Sequence, residues 1–243
     1  MAVSQGTAII FQLNFNNFNL IFLWMKPEQQ ELIDKCIIYV KSELSGSEKG
    51  HDWWHVQRVW SLARLISDSE PVDRFVVELA ALLHDIADAK FHAGDEEIGP
   101  AKASLFLSSL DVDIQVVDHV VNIIRNVSFK GGHKASEFSS PELDVVRDAD
   151  RLDAMGAIGI ARAFHYGGYK NRLLYHPQIK PNMKMTKEEY KNSDAPTINH
   201  FHEKLLLLKD LMNTATGKAL AGRRHAFMEL FLDEFEAEWN AET

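Results

Sequence analysis

Val76-Val77-Glu78-Leu79-Ala80-Ala81-Leu82-Leu83-His84-Asp85-Ile86-Ala87-Asp88 decides the fold class. Val76, Leu79, Ala80, Leu83 and Ala87 recur at the three- and four-residue steps that line up on one face of an α-helix. The stretch therefore predicts a helix that carries His84-Asp85 at its far end. The same period continues on both sides. Upstream, Ile33, Ile37 and Val40 predict a helix over about 27–44, and Val56, Val59, Trp60, Ala63 and Ile66 mark the next. Downstream, Ile114, Val117, Val121, Ile124 and Val127 give a further stripe, and Ser140-Pro141-Glu142 is a start signal for a helix carrying Asp150. Leu-rich and mixed segments near 197–213 and 218–239 predict a closing helical pair. No stretch sustains the alternation of a half-buried strand. The expected class is all-α.

Breaks fall between these stripes. Ser45-Gly46-Ser47 and Pro71 separate the early helices, Gly94 and Gly99-Pro100 punctuate a loop, and a long irregular loop is expected from Gly167 to Pro196. No internal repeat or low-complexity tract appears. The expected organisation is a single helical domain over 25–243 with a C-terminal helical pair at about 197–239.

Residues 1–24 carry no charged side chain, and Gln12, Asn14, Asn16, Asn17 and Asn19 interrupt their apolar run. They fit neither a signal peptide, which needs a positive start, nor a membrane span, which needs roughly 20 apolar residues. They are read as an unpatterned leader outside the fold. Met25 would be the natural start, and Met25-Lys26-Pro27-Glu28 opens the first helix with Pro at a tolerated position.

The net charge of −9 argues against a surface that neutralises polymeric nucleic acid. It leaves room for a small anionic ligand held by a metal and a few focused cations. Cys36 has no partner for an internal disulfide, which fits a cytoplasmic protein.

His55, His84, Asp85 and Asp150 fall in separate helix-like segments, each able to bring its ligand to a common centre. Two imidazoles and two carboxylates suit a divalent transition metal, and they leave two positions of an octahedron open for water and substrate. The His-Asp dipeptide alone means little: with 11 His and 17 Asp, chance supplies roughly one. A second pair, His51-Asp52, reads as a helix start with Asp52 as cap. Asp88 lies one turn beyond His84 and could serve as general acid or base, with Asp85 at the reacting centre. Arg58, Lys90, Lys130 and Arg151 are the cations available for substrate, Lys130 beside Gly131-Gly132 in a loop suited to phosphate. Asp153 is either a support behind the ligands or a partner of Arg151 or Arg162. The Trp53-Trp54 pair is read as half core.

Gly50-His51-Asp52-Trp53-Trp54-His55, Leu83-His84-Asp85-Ile86-Ala87-Asp88-Ala89-Lys90-Phe91, Ser128-Phe129-Lys130-Gly131-Gly132, Asp148-Ala149-Asp150-Arg151-Leu152-Asp153-Ala154 and Ile198-Asn199-His200-Phe201 carry a family resemblance. In that order they resemble the HD-domain metal-dependent phosphohydrolases, in a bacterial-type subgroup acting on nucleotides, over about residues 26–240. The resemblance implies a helical HD-domain bundle and one divalent ion, Mn²⁺ foremost, with Mg²⁺, Co²⁺, Ni²⁺, Fe²⁺ or Zn²⁺ as alternatives. It implies a small nucleotide substrate, no polymeric nucleic acid and no membrane, and leaves a homodimer open. The expected reaction is cleavage of nucleoside triphosphates to monophosphate and pyrophosphate. Nucleoside monophosphate dephosphorylation and nucleotide binding without turnover are the alternatives. Relatives that hydrolyse guanosine tetraphosphate carry an acidic pair where this chain has Asp88-Ala89, which weighs against that substrate. A di-iron oxygenase would need further ligands, for which His92, His119 and His133 are available.

Overall fold

The computed structural model describes residues 25–45, 52–87, 95–127, 138–186, 189 and 193–242, and among these the regular structure is entirely helical. The helices are α1 (Pro27–Glu43), α2 (Trp53–Ser67), α3 (Arg74–Leu83), α4 (Ile98–Ser109), α5 (Ile114–Val127), α6 (Pro141–Asp153), α7 (Gly156–Tyr169), α8 (Thr197–Glu203) and α9 (Ala215–Asn240). A 3₁₀ helix, Leu205–Leu211, joins the last two. The expected leader, residues 1–24, lies outside the described residues.

Short polar side chains set the helix starts. Asp52 accepts from the His55 N–H, Asp73 from Phe75 and Val76, Ser140 from Leu143, and Thr214 from Gly217. Each satisfies amide donors that the first helical turn leaves unpaired. Pro27 and Pro141 occupy first-turn positions, where a missing N–H costs nothing.

Helix α3 is the axis of the bundle. Every residue from Phe75 to Leu83 is buried, and α1, α2, α5 and α6 pack around it. A helix apolar on all sides needs such a jacket. Its one buried carboxylate, Glu78, accepts from Trp60 Nε1 at 2.8 Å and Arg74 Nε at 2.9 Å, so the charge is paired within the core. Helix α9 packs on α6, α7 and the 3₁₀ helix. There Phe164, Phe201 and Phe231 pack with centroids 5.8–6.0 Å apart, Phe201 on Phe231 stacked and Phe164 edge-on to Phe231.

Three expectations change. Helix α3 stops at Leu83, so His84-Asp85 occupies the turn beyond it rather than its last turn. The His84 ring takes the Ala81 carbonyl at 2.8 Å, the group that a continuing helix would offer to the Asp85 N–H. The expected helix at 197–213 divides at Lys204, whose φ of −144° leaves the helical region, and the leucine run continues as the 3₁₀ helix. Gly99-Pro100, read as loop, lies in the first turn of α4, and glycine-rich 156–169 is α7. Two of its glycines are packing residues: a Cβ on Gly159 would meet the Ala154 carbonyl, and one on Gly167 the Thr197 hydroxyl.

Candidate metal centre

Two helices and the turn after a third meet at the centre. His55 stands in the first turn of α2, His84 and Asp85 in the turn after α3, and Asp150 in the last turn of α6. His55 Nε2 lies 3.6 Å from Asp150 Oδ1 and 3.7 Å from Asp85 Oδ2. His84 Nε2 lies 4.0 Å from Asp150 Oδ1, and the two imidazole centroids are 5.3 Å apart. One ligand atom each from His55, His84 and Asp150 falls within 4.8 Å of the others. Bonds of about 2.0–2.2 Å to an ion put neighbouring ligand atoms roughly 3–3.5 Å apart, so a small inward movement closes the cage.

The donor atoms themselves fit a cation. The hydrogen bond to the Ala81 carbonyl assigns the proton to His84 Nδ1. Nε2 is left as an acceptor facing Asp150, buried and without a hydrogen-bond partner among the described residues. A buried acceptor left unmet costs about 1–3 kcal/mol, and a metal ion removes that cost. The charge of two carboxylates matches a divalent ion, with neutral imidazoles completing the set.

Behind His55 is a second layer. Asp153 Oδ2 lies 2.8 Å from His55 Nδ1, which turns Nε2 toward the centre. Arg58 grips the same carboxylate through Nε at 2.6 Å and a second guanidinium nitrogen at 3.1 Å. Arg162 of α7 binds it as well, with Nη1 2.9 Å from His55 Nδ1. Burial pushes the Asp153 carboxyl up, but the hydrogen bonds from His55 and Arg58 and the nearby charges outweigh it. The group is held well below the usual carboxylate range. Asp153 is thus both the support behind His55 and the partner of Arg162.

The remaining predicted residues scatter. Arg58 reaches the centre through Asp153. Arg151 turns the other way, bonding the Leu211 carbonyl and lying 3.8 Å from Asp148. Asp88, Lys90 and Lys130, with His51, His92 and His133, lie outside the described residues. His119 is 3.0 Å from the Ser140 hydroxyl and 3.4 Å from Glu142, at the opposite end of α6 from Asp150 and about 15 Å along that helix. Trp53 sits under Lys41, whose Nζ is 4.7 Å from the ring, while Trp54 is 63% exposed.

Sequence reasoning missed Asp148. It is fully buried on α6 and accepts from Asn213 N and Nδ2 and from Thr214 N and Oγ1, at 2.8–3.0 Å. Its place among Val145, Val146, Ala149 and Leu152 was the available signal, since a carboxylate on an apolar face needs a partner. Elsewhere, a cleft of about 510 Å³ opens between residues 175–181 and α9. Glu229, Asp233 and Glu236 make its wall acidic, and none of His55, His84, Asp85 and Asp150 lines it.

An HD-domain family model matches residues 53–155, the span from α2 to the turn after α6 that holds all of the ligand set. The YpgQ protein of Bacillus subtilis is 40% identical over 199 residues, 82% of this chain and 89% of its own. The chain belongs to the HD-domain family. A crystal structure of an HD-superfamily hydrolase from Bacillus thuringiensis is 46% identical, covering 88% of this chain and 99% of that one, with a TM-score of 0.71. The crystal structure of YpgQ in complex with ADP matches with a TM-score of 0.69, over 87% of this chain and 96% of that one. A Lactobacillus plantarum structure, 38% identical, matches with a TM-score of 0.75 over 87% and 98%. The HD-domain protein described here is accordingly a metal-dependent phosphohydrolase. No described helix is long and apolar enough to cross a membrane.

Proposed function

We propose that this HD-domain protein cleaves nucleoside triphosphates to nucleoside monophosphate and pyrophosphate, with one Mn²⁺ ion held by His55, His84, Asp85 and Asp150. The observation that carries the reading is the orphaned, buried Nε2 of His84 facing a two-carboxylate, two-imidazole cluster. The ADP bound to YpgQ, a relative covered over most of its length, supports a nucleotide as the substrate.

A divalent ion in this cage supplies Lewis acidity toward a phosphoryl oxygen and a nucleophile available at neutral pH. The chain's own groups do the rest. His55 and His84 enter as neutral imidazoles, each turned by a bond from its other nitrogen, to Asp153 and to Ala81. Asp85 and Asp150 balance the ionic charge and fix where the phosphate docks. Arg58 and Arg162 together carry one more positive charge than Asp153 removes, and this surplus favours an anion beside the cage. Asp88 is retained as the proton carrier and Lys90 and Lys130 as cations for the outer phosphates. Water oxygen joins the α-phosphorus as its bridge to the β-phosphate breaks, and the pyrophosphate leaves with the electron pair.

The test is a panel of nucleotides with Mn²⁺, Mg²⁺ and Co²⁺, reading phosphate and pyrophosphate separately. Equimolar monophosphate and pyrophosphate are expected. Phosphate released from monophosphates alone would replace this reading with a nucleotidase. Tight nucleotide binding with no product under any metal would make the protein a sensor.

A further inference from the structure

Helix α7 leaves the metal centre carrying an aromatic stripe. Arg162, which backs His55 together with Asp153, is followed on the same helix by Tyr166 and Tyr169. Four residues advance a helix by about 6 Å and turn it by about 40°; seven advance it by about 10.5 Å and return it to within about 20°. The three side chains therefore share one face. Helical side chains also lean toward the N-terminus, so Tyr166 leans back over the turn that bears Arg162.

Both rings are open to solvent, Tyr166 at 49% and Tyr169 at 63% exposure. Their centroids lie 6.4 Å apart. Cations border them. Lys170 Nζ is 5.9 Å from the Tyr166 ring and 5.6 Å from the Tyr169 ring, and the Arg172 guanidinium is 5.6 Å from Tyr166. Arg172 is itself fixed by the Ser193 carbonyl, so it backs Tyr166 rather than swinging freely. Exposed aromatic rings accompanied by cations, including cations over the ring face, are how proteins stack nucleic-acid bases. In a nucleotide, one sugar separates the base from its first phosphate, a reach of the order of one helical turn.

We propose that Tyr166 and Tyr169 form the platform on which the substrate's nucleobase stacks, on ring surface that Lys170 and Arg172 leave open, while the phosphates lie at the metal centre. This rests on the nucleotide reading above. Stacking asks only for a π-face, so the platform accepts all the common bases and prefers larger rings. It makes the protein a nucleotide enzyme of broad base tolerance.

The experiment uses the Mn²⁺-loaded full chain and Tyr166→Ala, Tyr169→Ala and the double variant. A nucleoside triphosphate is compared with inorganic tripolyphosphate, which has the phosphates and no base. One lost stacking contact should raise KM for the nucleotide roughly 5- to 100-fold, with a much smaller effect on tripolyphosphate and on kcat. Tyr166→Trp should restore the wild-type KM. If an alanine variant does not fold, Tyr166→Leu and Tyr169→Leu keep the apolar bulk and still remove the ring. An unchanged nucleotide KM, or equal losses on both substrates, overturns the platform and leaves the hydrolase standing. A wild type that binds but never cleaves nucleotides, with binding lost in the tyrosine variants, keeps the platform and removes the triphosphatase reading. A wild type that neither binds nor cleaves them removes both.

Discussion

Replacing Asp148 with Ala should destabilise the protein more than any change at the exposed face of α6. The carboxylate is completely buried and serves four donors: Asn213 N and Nδ2, and Thr214 N and Oγ1. A hydrogen bond to a charged acceptor is worth about 1.5–3 kcal/mol, but such bonds on one group do not add. Asn213 is exposed and can turn to water; Thr214 is buried and cannot. The net loss is then set mainly by the stranded Thr214 N–H and hydroxyl, about 3–5 kcal/mol in total. At about 2–4 °C per kcal/mol for a chain of this size, Tm should fall by roughly 6–20 °C. Thr214→Val, which deletes the hydroxyl donor and also the cap on the Gly217 N–H, should cost about 1–2 kcal/mol alone and less in the Asp148→Ala background, where the bond to Asp148 is already gone and only the cap is lost. Urea titrations of the four proteins give the cycle. A loss below about 1 kcal/mol in Asp148→Ala, or strict additivity with Thr214→Val, would show that Asp148 does not hold the 213–217 segment.

Other expectations concern the ion and pH. Mn²⁺ at a hundredfold excess over its Kd should stabilise the wild type by about 2.7 kcal/mol in a thermal-shift assay, and should leave His84→Ala and Asp150→Ala unmoved; an equal shift in both variants would place the ion elsewhere. Asp153→Asn keeps the shape but not the charge behind His55, and calorimetry should find Mn²⁺ affinity down by about 10- to 100-fold; unchanged affinity would reduce Asp153 to a bridge between helices. Because the Asp153 carboxyl is depressed in the fold, its stabilisation is present above the ordinary carboxylate pKa of about 3.9 and disappears as pH falls from there toward the folded value. Burial, helped by Lys204 and Arg172, pulls the His200 imidazole down to about 3. The unfolded chain then takes up a proton below about pH 6.5 that the folded chain refuses, so stability should fall with pH by up to about 1.4 kcal/mol per unit. His200→Gln should flatten that slope between pH 6.5 and 5, and a slope that persists would exclude His200 as its source.

The sequence made the helices legible where one face was apolar and the other polar, as along Ile114 to Val127, which is α5 as expected. It misled where packing rather than period decides. Leu205 to Leu208 has no polar face to set a register, and it takes the 3₁₀ form instead of extending α8. Gly167 and Gly168 open the stretch read as loop, yet they lie in the last turn of α7, Gly167 where the Thr197 hydroxyl leaves no room for a Cβ. His55, His84, Asp85 and Asp150 were visible as chemistry. Of their surroundings, Asp153 was legible only as one of two alternatives, because its partner His55 lies 98 residues away, and Asp148, which meets Thr214 across 66, was not legible as a support at all.

Those supports explain why one short helix carries so much of the centre. On α6, Asp150 is turned about 200° from Asp148, and Asp153 about 140° from Asp148. The three carboxylates thus leave the helix in three directions. Asp148 takes the start of α9, Asp150 faces the two histidines, and Asp153 takes His55, Arg58 and Arg162. Arg151 bonds the Leu211 carbonyl and Arg224 of α9 the Leu152 carbonyl, so the same two turns are pinned from the C-terminal side as well. Any displacement of α9 must therefore move α6, and with it two of the carboxylates around the ion site. The C-terminal helices, which lie beyond the family-matched span, thus bear on Asp150 through its α6 neighbours Asp148, Arg151 and Leu152.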